Sequence, residues 1–205
     1  MFFKRSALVF VAVVLMVASA TSDILAASWY GSTGLFRIPT ADVLHEEALR
    51  VGAYGFGMTH TASIGYGVYP DVEIALVGFY RPNQARLTGA VKGRIFTETV
   101  DRPAVAVGFV DDSFYGVMSK QIAPRLRAHV GLGSKQGVFA GLSYLVNPVV
   151  VTRPGEFTMP RMTLLAEYDH GEFNVGTQFT FTDHLDAYVT WVDFDRLAIG
   201  ASWQF

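Results

Sequence analysis

The sequence predicts an all-β protein, a single antiparallel transmembrane β-barrel of about 12 strands, with ten as the alternative count. Three observations support this fold class. Strand-length segments with alternating polarity follow one another along the chain, the final strand has one continuous apolar face, and a secretory leader is followed by no transmembrane helix. The 205 residues are enough for one domain of ordinary size.

The final strand, Arg196 to Phe205, places its apolar side chains on one face and its small or polar side chains on the other. In a soluble sandwich such an exposed apolar edge strand favours aggregation, whereas in a membrane barrel it faces lipid outward and the lumen inward. The spacing of Gly200, Trp203 and Phe205 resembles the terminal assembly signal of bacterial outer-membrane barrels, with Ala198 in place of its usual polar residue. This resemblance implies that the barrel assembly machinery is a partner.

Residues 1–20 are predicted to be a cleaved signal peptide. Lys4 and Arg5 precede an apolar run, Ala7 to Val17, that is too short to cross a bilayer. Ala18 to Ala20 forms a small-x-small cleavage site, Ala26-Ala27 is a weaker one, and an uncleaved anchor is the alternative. No later run of 18 apolar residues occurs, so any further membrane span must be β.

The amino-acid composition excludes several kinds of site and partner. The chain has no cysteine, which excludes disulfides, thiolate metal sites, cysteine nucleophiles and a lipoprotein anchor. Its formal net charge of -2 provides no basic face for nucleic acid. Hydrophobic residues make up 51% and charged residues 17%, a mixture that suits a barrel with one face of each strand in lipid.

The mature chain is predicted to have two parts. Residues 21–47 do not alternate cleanly and include Pro39, which would interrupt a strand ladder, so they are expected to form an extended lead-in that packs under or into the barrel. Residues 48–205 are expected to form the barrel, with ambiguous facing in 48–58 and 113–121. An even strand count brings both ends of the sheet to one side, as in bacterial single-chain barrels.

Alternation also predicts which polar side chains face the lumen. These candidates carry both signs of charge, and buried charges in a narrow barrel must be paired. We therefore expect an ion-pair network that fills the lumen; a narrow polar channel is the alternative. The lumen-facing candidates are Glu73, Lys92, Arg94, Arg127, His129, Glu167, Asn174, Gln178, Asp186 and Arg196.

An enzyme is not predicted, and neither catalytic residues nor a cofactor or metal site is assigned. A barrel lipid hydrolase would need a nucleophile and a base, for which Ser63 and the mid-strand His129 are the best candidates. No His, Asp or Glu pair has clear metal-ligand spacing on one face. A secreted soluble β-protein is a further alternative, although a second sheet would then be needed to cover Phe173, Val175, Phe179 and Phe181.

Two stretches resemble the YjbH-like outer-membrane proteins. The first is Gly31-Ser32-Thr33-Gly34-Leu35-Phe36-Arg37-Ile38-Pro39-Thr40-Ala41, followed by Leu49-Arg50-Val51-Gly52. The second is a hairpin in which Glu167-Tyr168-Asp169 leads to Asn174-Val175-Gly176. The resemblance implies a β-barrel in the bacterial outer membrane, in contact with its lipid and associated with exopolysaccharide production or export, and hence with polysaccharide export components as partners.

Overall fold

The computed structural model describes residues 28–148 and 159–205, so the predicted signal peptide lies outside the described residues. Twelve antiparallel strands form a closed barrel. They are β1 (Leu49–Phe56), β2 (Thr59–Tyr69), β3 (Val72–Arg81), β4 (Gln84–Phe96), β5 (Ala104–Val110), β6 (Ser113–Ala123), β7 (Leu126–Gly133), β8 (Gly137–Asn147), β9 (Arg161–Asp169), β10 (Glu172–Thr180), β11 (Leu185–Val192) and β12 (Arg196–Gln204). In the described ranges no helix has the length and hydropathy needed to cross a membrane.

Each strand pairs with its neighbours in sequence, and β1 pairs with β12 to close the sheet. In that closing pair Gly52 lies opposite Ser202 and Tyr54 opposite Gly200. Closure removes the open edge that an apolar last strand would otherwise expose. The predicted fold class is therefore confirmed with 12 strands rather than ten, because both ambiguous segments form strands, β1 and β6.

The outer face of the barrel is apolar and uncovered. Ile64, Leu76 and Leu142 lie in the middle of their strands, yet between 43% and 45% of each side chain is exposed. Several of their lumen-facing neighbours in sequence, such as Gly65, Ala75 and Gly141, are buried, and Val77 is 0% exposed. A soluble protein rarely exposes such a continuous apolar surface, whereas outer-membrane lipid covers it.

The two rims of the barrel differ in their connections. We call the rim where β1 begins and β12 ends the terminal rim, and the opposite one the distal rim. Distal connections are tight turns; for example, His170 and Gly171 both adopt positive φ, 52° and 84°, as a two-residue hairpin turn requires. The longest connection, residues 148–160, lies at the terminal rim.

Residues 28–47 are the described part of the lead-in. They lie inside the lumen as far as Leu44, and residues 45–47 are exposed where the segment meets β1. A bridge between Gly34 and Pro39 folds this segment back on itself, and its backbone amides are partly satisfied internally, as in the bond from Leu35 N to Ile38 O at 3.0 Å. The lead-in packs against two sides of the barrel wall. On one side, Leu35 and Ile38 join an apolar cluster with Phe139 and Leu165.

The second apolar cluster lies against the opposite wall. Trp29 and Phe36 of the lead-in pack there with Tyr54 and Tyr188, whose ring centroids are 5.6 Å apart. Apolar packing therefore fills much of the lumen that the sequence had assigned to ion pairs. Alternation alone could not show this, because it identifies which wall residues face inward but not what they meet there.

Candidate functional site in the barrel lumen

The centre of the lumen holds a fully buried ion pair. Lys92 Nζ lies 3.0 Å from Glu73 Oε1, with 0% and 2% of the two side chains exposed. Glu73 and Lys92 lie opposite each other on β3 and β4, so the sheet register brings them together. A buried pair is tolerated only when its remaining donors and acceptors are also bonded.

The lead-in supplies those bonds. Glu73 accepts hydrogen bonds from the backbone N of Thr33 at 2.7 Å and of Leu44 at 2.8 Å. Lys92 donates to the carbonyl oxygens of Thr33 at 2.6 Å and Thr40 at 3.2 Å. The pair therefore joins the wall to both arms of the folded lead-in, and neither charge is left without partners.

A second carboxylate holds the turn of the lead-in. Glu167 on β9 accepts hydrogen bonds from the backbone N of Phe36 at 3.2 Å and of Arg37 at 2.9 Å. Asn174 on the neighbouring strand donates to the same carboxylate at 3.1 Å. These contacts satisfy amides that the turn itself leaves unpaired.

A serine and a histidine hold the next segment. The backbone N of Ala41 donates to Ser119 Oγ at 2.9 Å, and Ser119 Oγ lies 2.8 Å from His129 Nδ1. His129 Nε2 lies 3.4 Å from Ser143 Oγ. His129 thus contacts serines on the adjacent strands β6 and β8 and not Ser63, which lies on β2, so the proposed hydrolase pair does not form.

Towards the terminal rim, Asp42 of the lead-in faces Arg127. Arg127 Nη1 lies 2.6 Å from Asp42 Oδ2, and Nη2 lies 3.1 Å from Glu98 Oε2. Burial by itself would raise the pKa of Asp42, but the Arg127 guanidinium holds it below its ordinary value. Asp42 is therefore ionised at neutral pH and anchors this end of the lead-in.

Towards the distal rim, Arg37 of the lead-in reaches the β9–β10 hairpin. Its guanidinium pairs with Asp169 at 3.2 Å and also with Glu172. The described part of the lead-in is therefore held towards both rims and at the centre of the lumen.

The predicted lumen residues fall into two groups. Glu73, Lys92, His129, Glu167, Asn174, Gln178 and Asp186 are buried inside the barrel, and Arg127 is half-buried there. Arg94 and Arg196 lie on the lumen side of their strands but at the rims, where Arg94 pairs with Asp71 at 2.7 Å and Arg196 lies over the Phe56 ring. At the predicted assembly signal, the Tyr54 ring covers Gly200, and a side chain there would overlap it.

The sequence interpretation missed the lead-in's own binding residues. Thr33, Arg37 and Asp42 make the contacts described above, yet none of them lies in an alternating segment. Thr33 and Arg37 lie in the run from Gly31 to Ala41, which resembles the family motif. That run has no alternating pattern, so its sequence did not indicate which side chains bind the wall.

Cavities remain on both sides of the lead-in. One of about 470 Å³ opens at the terminal rim, and a deeper one of about 160 Å³ shares Arg127, Ser143, Thr163 and Gln178 with it. Two others, of about 170 and 280 Å³, lie towards the distal rim. Within residues 28–148 and 159–205, no cluster of three His, Asp or Glu side chains could hold a metal ion.

Solved structures similar to this chain are outer-membrane barrels. The KdgM porin is 11% identical, with 77% of this chain and 98% of that chain covered and a TM-score of 0.50. Omp33 of Acinetobacter baumannii is 13% identical, with coverage of 78% and 97% and a TM-score of 0.48. At such identity the KdgM match shows a shared fold and carries nothing about function.

Sequence comparison identifies the family. No curated protein matches the chain. A family model described as "YjbH: Exopolysaccharide biosynthesis protein YbjH" matches residues 26–204, which include the whole barrel and the described lead-in. The resemblance seen in the two sequence motifs is thereby confirmed, and the closed lipid-facing barrel agrees with the outer membrane as its location. The chain belongs to the YjbH family of exopolysaccharide-associated outer-membrane proteins.

Proposed function

We propose that this protein is an outer-membrane barrel with a structural or export-accessory role in exopolysaccharide production, and that its own lead-in closes the lumen. The closed lumen is supported above all by the buried Glu73–Lys92 pair, which forms hydrogen bonds with both arms of the lead-in. The family description supports the link to exopolysaccharide. Its partners in this role are outer-membrane lipid, the barrel assembly machinery and components of polysaccharide export.

A gene deletion in the bacterium that encodes the protein tests the role. We expect the deletion strain to release less exopolysaccharide, or polysaccharide of altered chain length, and a plasmid copy of the gene to restore the wild-type product. Total outer-membrane protein and detergent sensitivity serve as controls for general envelope damage. An unchanged amount and length of polysaccharide would show that the accessory role is wrong.

A second candidate function is a narrow polar channel. The cavity at the terminal rim and the deeper one beside it form a polar funnel that ends at the lead-in. Conduction would require the lead-in to move, because it blocks the path between this funnel and the distal cavities.

Planar-bilayer recording separates the two candidates. We expect no conductance steps from the wild-type protein and discrete steps from Lys92→Met, in which the lead-in loses its central anchor. Lys135→Met, which removes an exposed lysine paired with Asp112 at the distal rim, is the matched control and should remain silent. Steps of similar size from the wild-type protein would favour the channel.

A further inference from the structure

The large cavity at the terminal rim, which we call the vestibule, lies inside the barrel mouth between β6 and β10. Its volume of about 470 Å³ is within the range of sites that bind small molecules. Three arginines line it, Arg125, Arg127 and Arg161. One acidic residue, Asp183, lines it as well.

The three arginines are not equivalent. Asp42 and Glu98 already neutralise Arg127, as described above. Among the described residues, the Arg125 guanidinium donates one long hydrogen bond, from Nη1 to the carbonyl oxygen of Val146 at 3.4 Å. Within the described ranges the Arg161 side chain donates no hydrogen bond, although its charge acts on the buried carboxylate of Asp186. The guanidinium groups of Arg125 and Arg161 therefore keep unused hydrogen-bond donors at this mouth.

The sheet places these two arginines on either side of one strand. Arg125 precedes β7 and Arg161 begins β9, and β8 runs between them. Two strand spacings, about 10 Å, separate their backbones across the sheet, and Arg161 lies two residues nearer the rim than Thr163, which pairs with the Leu145 that faces Arg125. A guanidinium fork binds a carboxylate through two parallel hydrogen bonds, so an anionic group held between the two strands can be reached from both sides.

The rest of the lining favours a hydroxylated ligand over a lipid chain. The uncharged polar side chains of the lining are hydroxyls and amides: Gln121, Ser143, Thr163, Gln178 and Thr180. Each can both donate and accept hydrogen bonds, as sugar hydroxyls do. Leu126 and Leu145 are the apolar members of the lining.

We propose that the vestibule is a binding site for a carboxylated oligosaccharide, in which Arg125 and Arg161 hold the carboxylate and the hydroxyl and amide side chains hold the sugar. This inference rests on the proposed exopolysaccharide role, since that role supplies the glycan. The vestibule then receives a segment of the polymer at the rim where the barrel sheet begins and ends.

Calorimetric titration of the detergent-folded protein tests the proposal. The probe is aldotriouronic acid, a trisaccharide with one uronate, and the neutral match is xylotriose. We expect the uronate to bind, xylotriose to bind at least tenfold more weakly, and raised salt to weaken uronate binding. Inorganic phosphate in a third titration distinguishes a glycan site from a simple anion site.

Two variants assign the binding to the vestibule. Arg125→Gln and Arg161→Gln should each weaken uronate binding about tenfold or more, since each removes a charge-assisted hydrogen bond. Arg86→Gln, an arginine at the distal rim paired with Asp111, is the matched control and should bind as the wild type does. Heat-dependent electrophoretic mobility establishes that each variant has folded.

A second measurement does not depend on the arginine variants. The chain lacks cysteine, so Thr163→Cys introduces a single thiol into the vestibule wall. We expect aldotriouronic acid to slow its labelling by a maleimide and xylotriose to have little effect. Equal binding of both trisaccharides, equal binding of phosphate, or unchanged affinity in both arginine variants would overturn the proposal.

The titration tests the vestibule site and the gene deletion tests the exopolysaccharide role, so the two can fail separately. If the protein binds uronate but the deletion strain makes unchanged polysaccharide, the vestibule site is supported and the exopolysaccharide role is wrong. If the deletion strain makes less polysaccharide but the protein does not bind uronate, the role is supported and the vestibule site is wrong.

Discussion

At the scale of single residues, the decisive feature is a buried lysine whose bonds come from two different parts of the chain. Lys92 meets Glu73 across the strand pair and the carbonyl oxygens of Thr33 and Thr40 in the lead-in. An isolated ammonium in this position would be strongly unfavourable. Hydrogen bonds from the lead-in therefore help to stabilise the buried charges of the wall, and the same bonds hold the lead-in in place.

Lys92→Met should destabilise the protein by about 3 kcal/mol, because it leaves the Glu73 carboxylate buried without its counter-charge. The loss is expected near the lower end of the range for a broken buried ion pair, because backbone N–H groups of the lead-in still donate to Glu73. The temperature at which the barrel loses its compact electrophoretic form measures the effect.

The double variant Glu73→Gln/Lys92→Met should recover part of that loss, since no unpaired charge remains. Lys135→Met, in an exposed pair, should leave the transition temperature nearly unchanged. A similar loss in Lys92→Met and Lys135→Met would contradict the assigned role of the buried pair.

Asp42 gives the anchoring at the terminal rim a defined pH dependence. Its pKa in the folded protein lies below its ordinary value, so the unfolded chain binds the proton more tightly. The stabilisation is therefore complete above the unfolded pKa of about 3.9 and is lost as the pH falls through the lower folded value.

We expect wild type and Asp42→Asn to differ in transition temperature at pH 7 and to converge as the pH falls through the folded pKa of Asp42, which lies below its ordinary value. The measurement is the heat-modifiability midpoint of both proteins across this range. A constant difference at every pH would show that the Asp42–Arg127 charge interaction is not responsible.

At the scale of elements, the lead-in lies so close to the wall that some positions exclude a side chain. Gly67 on β2 faces the backbone carbonyl of His45, and a Cβ at Gly67 would overlap that oxygen. Backbone cannot move aside as the end of a flexible side chain can. Glycine is therefore required at position 67 by the lead-in and not by the strand itself.

Gly67→Ala should displace the terminal-rim end of the lead-in and raise its susceptibility to protease in the folded barrel. Gly116→Ala is the matched control, because a Cβ there would have no atom within 4 Å, and it should behave as the wild type does. The measurement is the rate at which protease cleaves between residues 40 and 48, identified by mass spectrometry. Equal rates in the two variants would indicate that the wall accommodates the added methyl.

At the scale of the whole molecule, the cost of placing a charge on the outward face should depend on how deep that position lies in the membrane. Leu142 lies near the middle of β8 and Val138 near its distal end, both facing outward. In lipid vesicles Leu142→Arg should reduce the free energy of unfolding by about 2–4 kcal/mol, and Val138→Arg by no more than about 1 kcal/mol. Denaturant titration measures both.

Equal effects of these two substitutions would contradict the depth assigned to the barrel. Little effect of either in vesicles would indicate that lipid does not cover this face.

The sequence by itself determined the barrel. A strand has a side-chain period of two, so local alternation identifies the strands and the face that each residue occupies, and sequential hairpins leave few alternative topologies. The run from Gly31 to Ala41 and the motif around Glu167 also indicated the family. These conclusions needed no information about distant contacts.

Only the tertiary structure decided what fills the lumen. The residues of the lead-in contact partners on β3, β6, β7 and β9, as in the bond from Arg37 N to Glu167 across 130 positions of sequence. An irregular segment has no period, so its own sequence does not indicate which wall it binds. The buried charges of the wall therefore indicated that partners were required, and the folded chain showed that the lead-in supplies many of them, because closure of the barrel around that segment creates the contacts.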